Sequence, residues 1–231
     1  MIILTKFLHQ RKGEAMQHYV IIDLEMCRIV HTEEYDENEL YHEIIQIGAV
    51  SLDENYEVCD EYMAYVKPQY GTIDAFITNL TGITSDDIEE ALVLQDALEL
   101  FAAWLPEDPI LVAWSENDEK QIRHEVQYKE INFPDFDQYF GEWEDCQAAF
   151  GEKMNTPKNY SLKEALCIAG IQSVPGEHDG LIDAKNTAKI FAKLKKDKDF
   201  KLNPYYGDAN DNHSSYNPFA DLFANFQFDE E

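Results

Sequence analysis

The sequence predicts an α/β layer structure with a mixed sheet and helices on both faces. Three observations carry this. Apolar, β-branched runs at residues 19–25, 43–50 and 62–68 are separated by polar turns, as in an antiparallel meander. Segments of helical periodicity follow, broken by one further apolar run, Ile110-Leu-Val-Ala-Trp114. Strands, then helices, then a strand, then helices is the order of a layered α/β protein. The chain has 231 residues and is 45% hydrophobic, which suffices for one sizeable core. No internal repeat is visible.

Taken in order, Tyr19-Val-Ile-Ile-Asp-Leu-Glu25 reads as a buried strand, and an acidic polar segment (28–42) follows. Glu43-Ile-Ile-Gln-Ile-Gly-Ala-Val50 reads as the second strand, with a turn at Asp53-Glu-Asn55, and Tyr62–Pro68 ends the third. Ile73 to Leu80 looks helical. Thr84-Ser-Asp-Asp offers an N-cap with acids in the first turn of the next helix. Gln95 to Leu105 is an amphipathic helix stopped by Pro106. After the fourth strand, Asn117 to Lys129 is helical, Ser161-Leu-Lys-Glu164 has a capping-box pattern, and Gly180 to Lys196 is the last strong helix.

Composition divides the chain into an arm (1–17), a globular unit (18–200) and an acidic aromatic tail (201–231). Purine-rich codons for Gly13-Glu14 could serve as a ribosome-binding site, so translation is expected to start at Met16; the alternative is a loosely ordered arm. The tail from Asn203 to Glu231 holds six acids and no Lys or Arg. Its aromatic stretch 219–231 reads as a docking peptide for a protein partner, as an inert end, or as a nucleic-acid mimic folding onto the basic region. No apolar run approaches the roughly 20 residues that cross a bilayer. The four cysteines, Cys27, Cys59, Cys146 and Cys167, form no C-x-x-C pair. A disulfide framework or zinc site is not expected, and a reducing, cytoplasmic setting is.

Net charge is −28. That excludes a protein relying on a broad basic surface to hold phosphates. Charge is uneven, however: Lys153 to Lys201 carries ten Lys and six acids, a local net of +4. Lys185, Lys189 and Lys193 recur every four residues, with Lys196 beside them, about 200° round the helix from Asp183. The row reads as a solvated helix face rather than a substrate groove.

Five residues carry the chemistry. Asp23 and Glu25 form a D-x-E, and side chains two apart on a strand share a face. Asp118 follows the fourth strand; His178 and Asp183 open the last helix. Carboxylates at the ends of separate elements can converge on divalent ions, and hard oxygen ligands suit Mg²⁺ or Mn²⁺. Two ions about 3.5–4 Å apart can generate a hydroxide and stabilise a leaving oxygen in phosphodiester hydrolysis. Histidine titrates near neutrality and suits deprotonation of the attacking water. Taken singly, D-x-E in an acidic chain is ordinary, Asp118 reads as a helix cap, and His178 reads as a surface histidine. Their order and spacing give the set its meaning.

The set resembles the DEDDh 3′→5′ exonucleases of the ribonuclease H-like superfamily (DnaQ-like), over about residues 18–195. D-x-E on the first strand, an Asp opening a helix after a later strand, and H-x4-D are all present. Glu43–Val50 is similar to the family's second strand, where Glu often stands in place of Gln46, and Leu80-Thr-Gly-Ile-Thr84 to its helix-end segment. The resemblance is nearest to the KapD and histone-mRNA exonuclease branch, with Trp114-Ser-Glu-Asn-Asp118 similar to a Trp-containing second motif. It implies a ribonuclease H-like, five-stranded mixed sheet flanked by helices. It also implies a two-metal exonuclease releasing 5′-mononucleotides from the 3′ end of single-stranded RNA or DNA. Asp23, Glu25, Asp118 and Asp183 would hold the ions and His178 would be the base, with His124 the rival. Leu24, Met26, Leu80 and Thr81 would bind the terminal nucleotide, Leu24 and Leu80 reading equally as core. A non-catalytic binding module on the same scaffold and a polymerase proofreading subunit are the competing readings.

Overall fold

A computed structural model describes residues 17–30, 39–141, 143–155 and 158–203. The proposed start at Met16 and the tail peptide 219–231 lie outside the described residues. Five strands form one mixed sheet: β1 (Tyr19–Arg28), β2 (His42–Leu52), β3 (Val58–Tyr65), β4 (Ile110–Ala113) and β5 (Trp143–Asp145), in the order β3-β2-β1-β4-β5. β2 runs antiparallel to β1 and β3, whereas β1, β4 and β5 are parallel.

Side-chain alternation along β1 decides which helices cover which face. Ile21 packs in one core cluster with residues of α6 (Cys146–Lys153), α7 (Leu162–Ile168) and α8 (Gly180–Lys196). Val20, Ile22 and Leu24 pack in a second cluster with α3 (Leu94–Trp104), α4 (Asn117–Tyr128) and α5 (Phe136–Phe140). A third, smaller cluster joins Cys27 and Ile45 to α1 (Ala75–Thr81) and α2 (Ser85–Glu89). Helices therefore lie on both faces, as the sequence predicts.

Local chemistry sets the helix ends. Thr84 and Asp87 form a reciprocal capping box on α2, and Ser161 accepts from Glu164 N on α7. The expected strand 62–68 ends earlier, at Tyr65; Lys67 N then bonds Leu92 O instead of the sheet. Trp114 is interior, packed on Phe150 and Tyr160 with its indole N–H donated to Tyr160 O, so it belongs to the core rather than to a substrate surface. All four cysteines are free, and among the described residues no helix is long and apolar enough to cross a membrane.

Candidate active site

The carboxylates meet where β1 outruns β4. Pairing with β4 covers only Tyr19–Ile22, so the backbone of residues 23 onwards needs another partner on that edge. Asp118, in the first turn of α4, supplies one: its Oδ1 accepts Leu24 N at 3.1 Å. On the opposite edge, Asp23 pairs with Gly48 and Glu25 with Gln46 before a bulge at Glu25/Met26.

α8 brings in the remaining groups by an unusually close approach. A Cβ built on Gly48 would lie 2.1 Å from the backbone carbon of Gly180 and from Leu181 N. Only glycine at Gly48 lets the start of α8 rest on the strand backbone. Gln46 Oε1 accepts Gly180 N at 2.7 Å, and Asp179 caps the helix by accepting from Ile182 N. This docking places Asp183 one turn into α8, beside β1. Glu25, His178 and Asp183 each offer a ligand atom, and these atoms lie within 4.8 Å of one another. His178 adopts the left-handed region (φ 65°), and its backbone N–H donates to Asp183 Oδ2 at 3.0 Å. Its ring is exposed, so the imidazole stands at the mouth of the site.

Electrostatics record the crowding. Burial, then the charges of Asp118, Asp183, Glu25 and Asp179, push Asp23 well above the ordinary carboxylate range. Burial and the same kind of repulsion push Glu25 up to about 8, and burial pushes Asp118 up to about 7 despite its bond from Leu24. Asp183 is also raised, by burial first. Hard oxygen donors this close and this reluctant to ionise together fit divalent cations, which would replace mutual repulsion by shared attraction. Asp23, Glu25, Asp118 and Asp183 are the residues that would hold them.

The expected nucleotide contacts fare differently. Leu24 is 5% exposed and packs among the residues on the α3/α4 face, away from the carboxylates. What it gives the site is its backbone N–H, because strand alternation turns its side chain into the core. Met26 is partly exposed beyond the bulge. Leu80 is 38% exposed on α1, with Phe76, 65% exposed, one turn before it. Thr81 donates its hydroxyl to Ile77 O and accepts from Ile83 N, so it secures the end of α1. His124 lies edge-on to Tyr128. Nor is the lysine row simply solvated: Lys185 pairs with Glu61, Lys193 with Asp197, Lys196 with Glu57, and Lys189 bonds Gln172 O. Sequence reasoning also passes over Gln46 as a helix anchor, Gly48 and the cap Asp179. A glycine followed 132 residues later by another gives no local sign that the two will touch.

A family model described as "Exonuclease" matches residues 20–191. Among curated relatives, an ERI1 exoribonuclease 2 of Danio rerio is 31% identical over 183 residues, covering 67% of this chain and 32% of that protein. A 3′-5′ exoribonuclease 1 of Homo sapiens is 27% identical over 188 residues, covering 77% of this chain and 52% of the other. The chain thus spans about a third to a half of these relatives' length. The nuclease domain of 3′hExo, a DEDDh family member bound to rAMP, superposes with a TM-score of 0.68 at 25% identity, covering 82% of this chain and 98% of that one. Its ribonuclease H-like sheet is the one seen here.

Proposed function

This chain belongs to the exonuclease family (RNase_T), and we propose that it removes 5′-mononucleotides one at a time from the 3′ end of single-stranded nucleic acid. The observation that supports this best is the convergence of four carboxylates from β1, α4 and α8 with one exposed histidine from the segment before α8. RNA is the favoured substrate, because the relatives carry the name exoribonuclease. Two Mg²⁺ or Mn²⁺ ions held by Asp23, Glu25, Asp118 and Asp183 would supply a nucleophile at neutral pH and charge neutralisation at the leaving oxygen.

The chain's own residues do the rest. Asp23 sits centrally, since each of the other site carboxylates acts on it. Asp118 ties the start of α4 to β1 through Leu24 N, which fixes the carboxylates relative to each other. His178, exposed beside Asp183, accepts the proton of the attacking water. Leu80 and Phe76 present an apolar face for the terminal base on the helix packed against Cys27, two residues beyond Glu25. Aromatic stacking of this kind tolerates every base. Four free cysteines support a reducing, cytoplasmic setting.

The test is a degradation panel: matched RNA and DNA oligonucleotides, blocked at the 5′ or the 3′ end, with Mg²⁺, Mn²⁺ or chelator. Loss of turnover with a 3′ block and with chelator is expected. Degradation of 3′-blocked strands, or activity undiminished by chelation, would overturn the reading.

A further inference from the structure

Between α7 and α8 lies the segment 171–179, which carries His178 at its end. The segment has no regular structure of its own, and most of it is exposed. Something must therefore hold it if His178 is to occupy one place. Its end is tied to α8 by the His178 N–Asp183 bond and the Asp179 cap, and four contacts hold the rest of its length. Ile171 N bonds Leu166 O, and Lys189 Nζ donates to Gln172 O at 2.9 Å. Lys163 pairs with Glu177 at 2.9 Å, with both side chains largely in solvent. The fourth is of another kind. Asn186, on α8 and only 1% exposed, takes both backbone groups of Val174: its Oδ1 accepts Val174 N at 2.7 Å, and its Nδ2 donates to Val174 O at 3.1 Å.

The exposed ion pair contributes little, since water competes for both partners. The two Asn186 bonds are partly buried and are made by a side chain shut away from solvent, so water competes for them less than for the ion pair. Asn186 also lies on α8, one turn beyond Asp183. It thus joins the loop bearing the histidine to the helix bearing the acid. His178 in turn hydrogen-bonds Asp183 through its backbone N–H, from a left-handed conformation that an unrestrained histidine would leave. The geometry assigns to Asn186 the role of positioning residue: by clamping Val174 to α8, it holds His178 at the carboxylate cluster.

This rests on the reading of His178 as the proton acceptor, so the experiment separates the two. Asn186→Ala and His178→Ala are made singly and together in the full chain. Single-turnover rates, KM for a single-stranded oligonucleotide and amide hydrogen exchange are measured for each. Asn186→Ala should lower the rate by between about tenfold and a hundredfold with little change in KM, the scale of a misplaced catalytic group. It should raise exchange at residues 172–178 while leaving the amides of β1 and β2 protected. In the His178→Ala background, the same change should cost no further rate, because the group it positions is gone. Independent, multiplying losses would overturn the proposal, as would unaltered exchange in the loop. Should the alanine variant lose sheet protection as well, Asn186→Ser keeps an acceptor and is put through the same cycle. A wild-type chain without nuclease activity would refute the proposed function, and the exchange measurement would still decide whether Asn186 holds the loop.

Discussion

Asp23, Glu25, Asp118 and Asp183 make the metal-free site a source of instability, and its pH dependence has a definite sign. Their folded-state pKa values are raised, Glu25 to about 8 and Asp118 to about 7, above the ordinary carboxylate value of about 4. An acid of this kind costs nothing while protonated in both states. It destabilises progressively as pH rises from its unfolded value to its folded one, where the folded chain binds more protons. The melting temperature of chelator-treated protein should therefore fall between about pH 5 and pH 8. Asp23→Asn and Glu25→Gln should flatten that fall, while each abolishes turnover by about a thousandfold or more, as loss of a member of a catalytic unit does. Mg²⁺ or Mn²⁺ should raise the melting temperature more at pH 8 than at pH 5, because protons compete for the ligand oxygens. Calorimetry with and without chelator measures both effects. Variants that leave the slope unchanged would show that these carboxylates are not its source.

At the scale of elements, the site depends on two contacts that place whole helices. Gly48→Ala would put a methyl into the backbone of α8, with no flexible side chain to yield. The helix must move, costing about 1–3 kcal/mol or more of stability, and activity falls with it as Asp183 withdraws. Thermal melts and nuclease assays on that variant read the two effects separately. The second contact is a buried charge network: Lys129 at the end of α4 pairs with Glu125 at 2.7 Å and Glu43 at 2.6 Å. Glu43 also accepts from Gln69 N, Tyr70 N and Gly71 N, and Glu125 accepts from Ile44 N. Lys129→Met strands two buried acids and should cost about 3–5 kcal/mol in chemical denaturation. A loss under about 1 kcal/mol would mean the network is wetter than its geometry indicates. These contacts explain what was legible in the sequence. β1, β2, β4, α3, α4 and α8 each bury a face along ten or so residues or form a compact apolar run, so periodicity reveals them. β5 has three residues, and α5 starts from a left-handed Asp135, so neither leaves a pattern. Order and spacing single out the five candidate site residues in the sequence. Gln46, Gly48, Asn186 and the link from Glu43 to Lys129 act across separations from 12 to over a hundred residues, where periodicity carries no information.

Over the whole molecule, a net charge of −28 must be reconciled with a phosphate-bearing strand. The basic stretch 153–201 does not resolve it. Lys158, Lys163, Lys185, Lys193, Lys195 and Lys196 are engaged with Glu164, Glu177, Glu61, Asp197, Glu144 and Glu57. These pairs tie six of the stretch's ten lysines to acids on the β3 side and around α8 instead of leaving them as an open basic track. Under the proposed function, affinity would come from the 3′ end at the metal-binding carboxylates and from stacking on exposed apolar surface such as Phe76 and Leu80. Single-stranded binding loses affinity with salt in proportion to the phosphates contacted, at about 0.7 per phosphate on a log–log plot. Three or fewer contacts imply a slope no steeper than about −2. Fluorescence anisotropy of a labelled oligonucleotide, with turnover blocked by His178→Ala and divalent ion held constant, measures it. Phe76→Ala should weaken binding at every salt concentration while leaving the slope alone, because stacking releases no ions. A slope steeper than about −4 would instead require a basic track of six or so phosphate contacts, and the paired lysines would have to open to provide it.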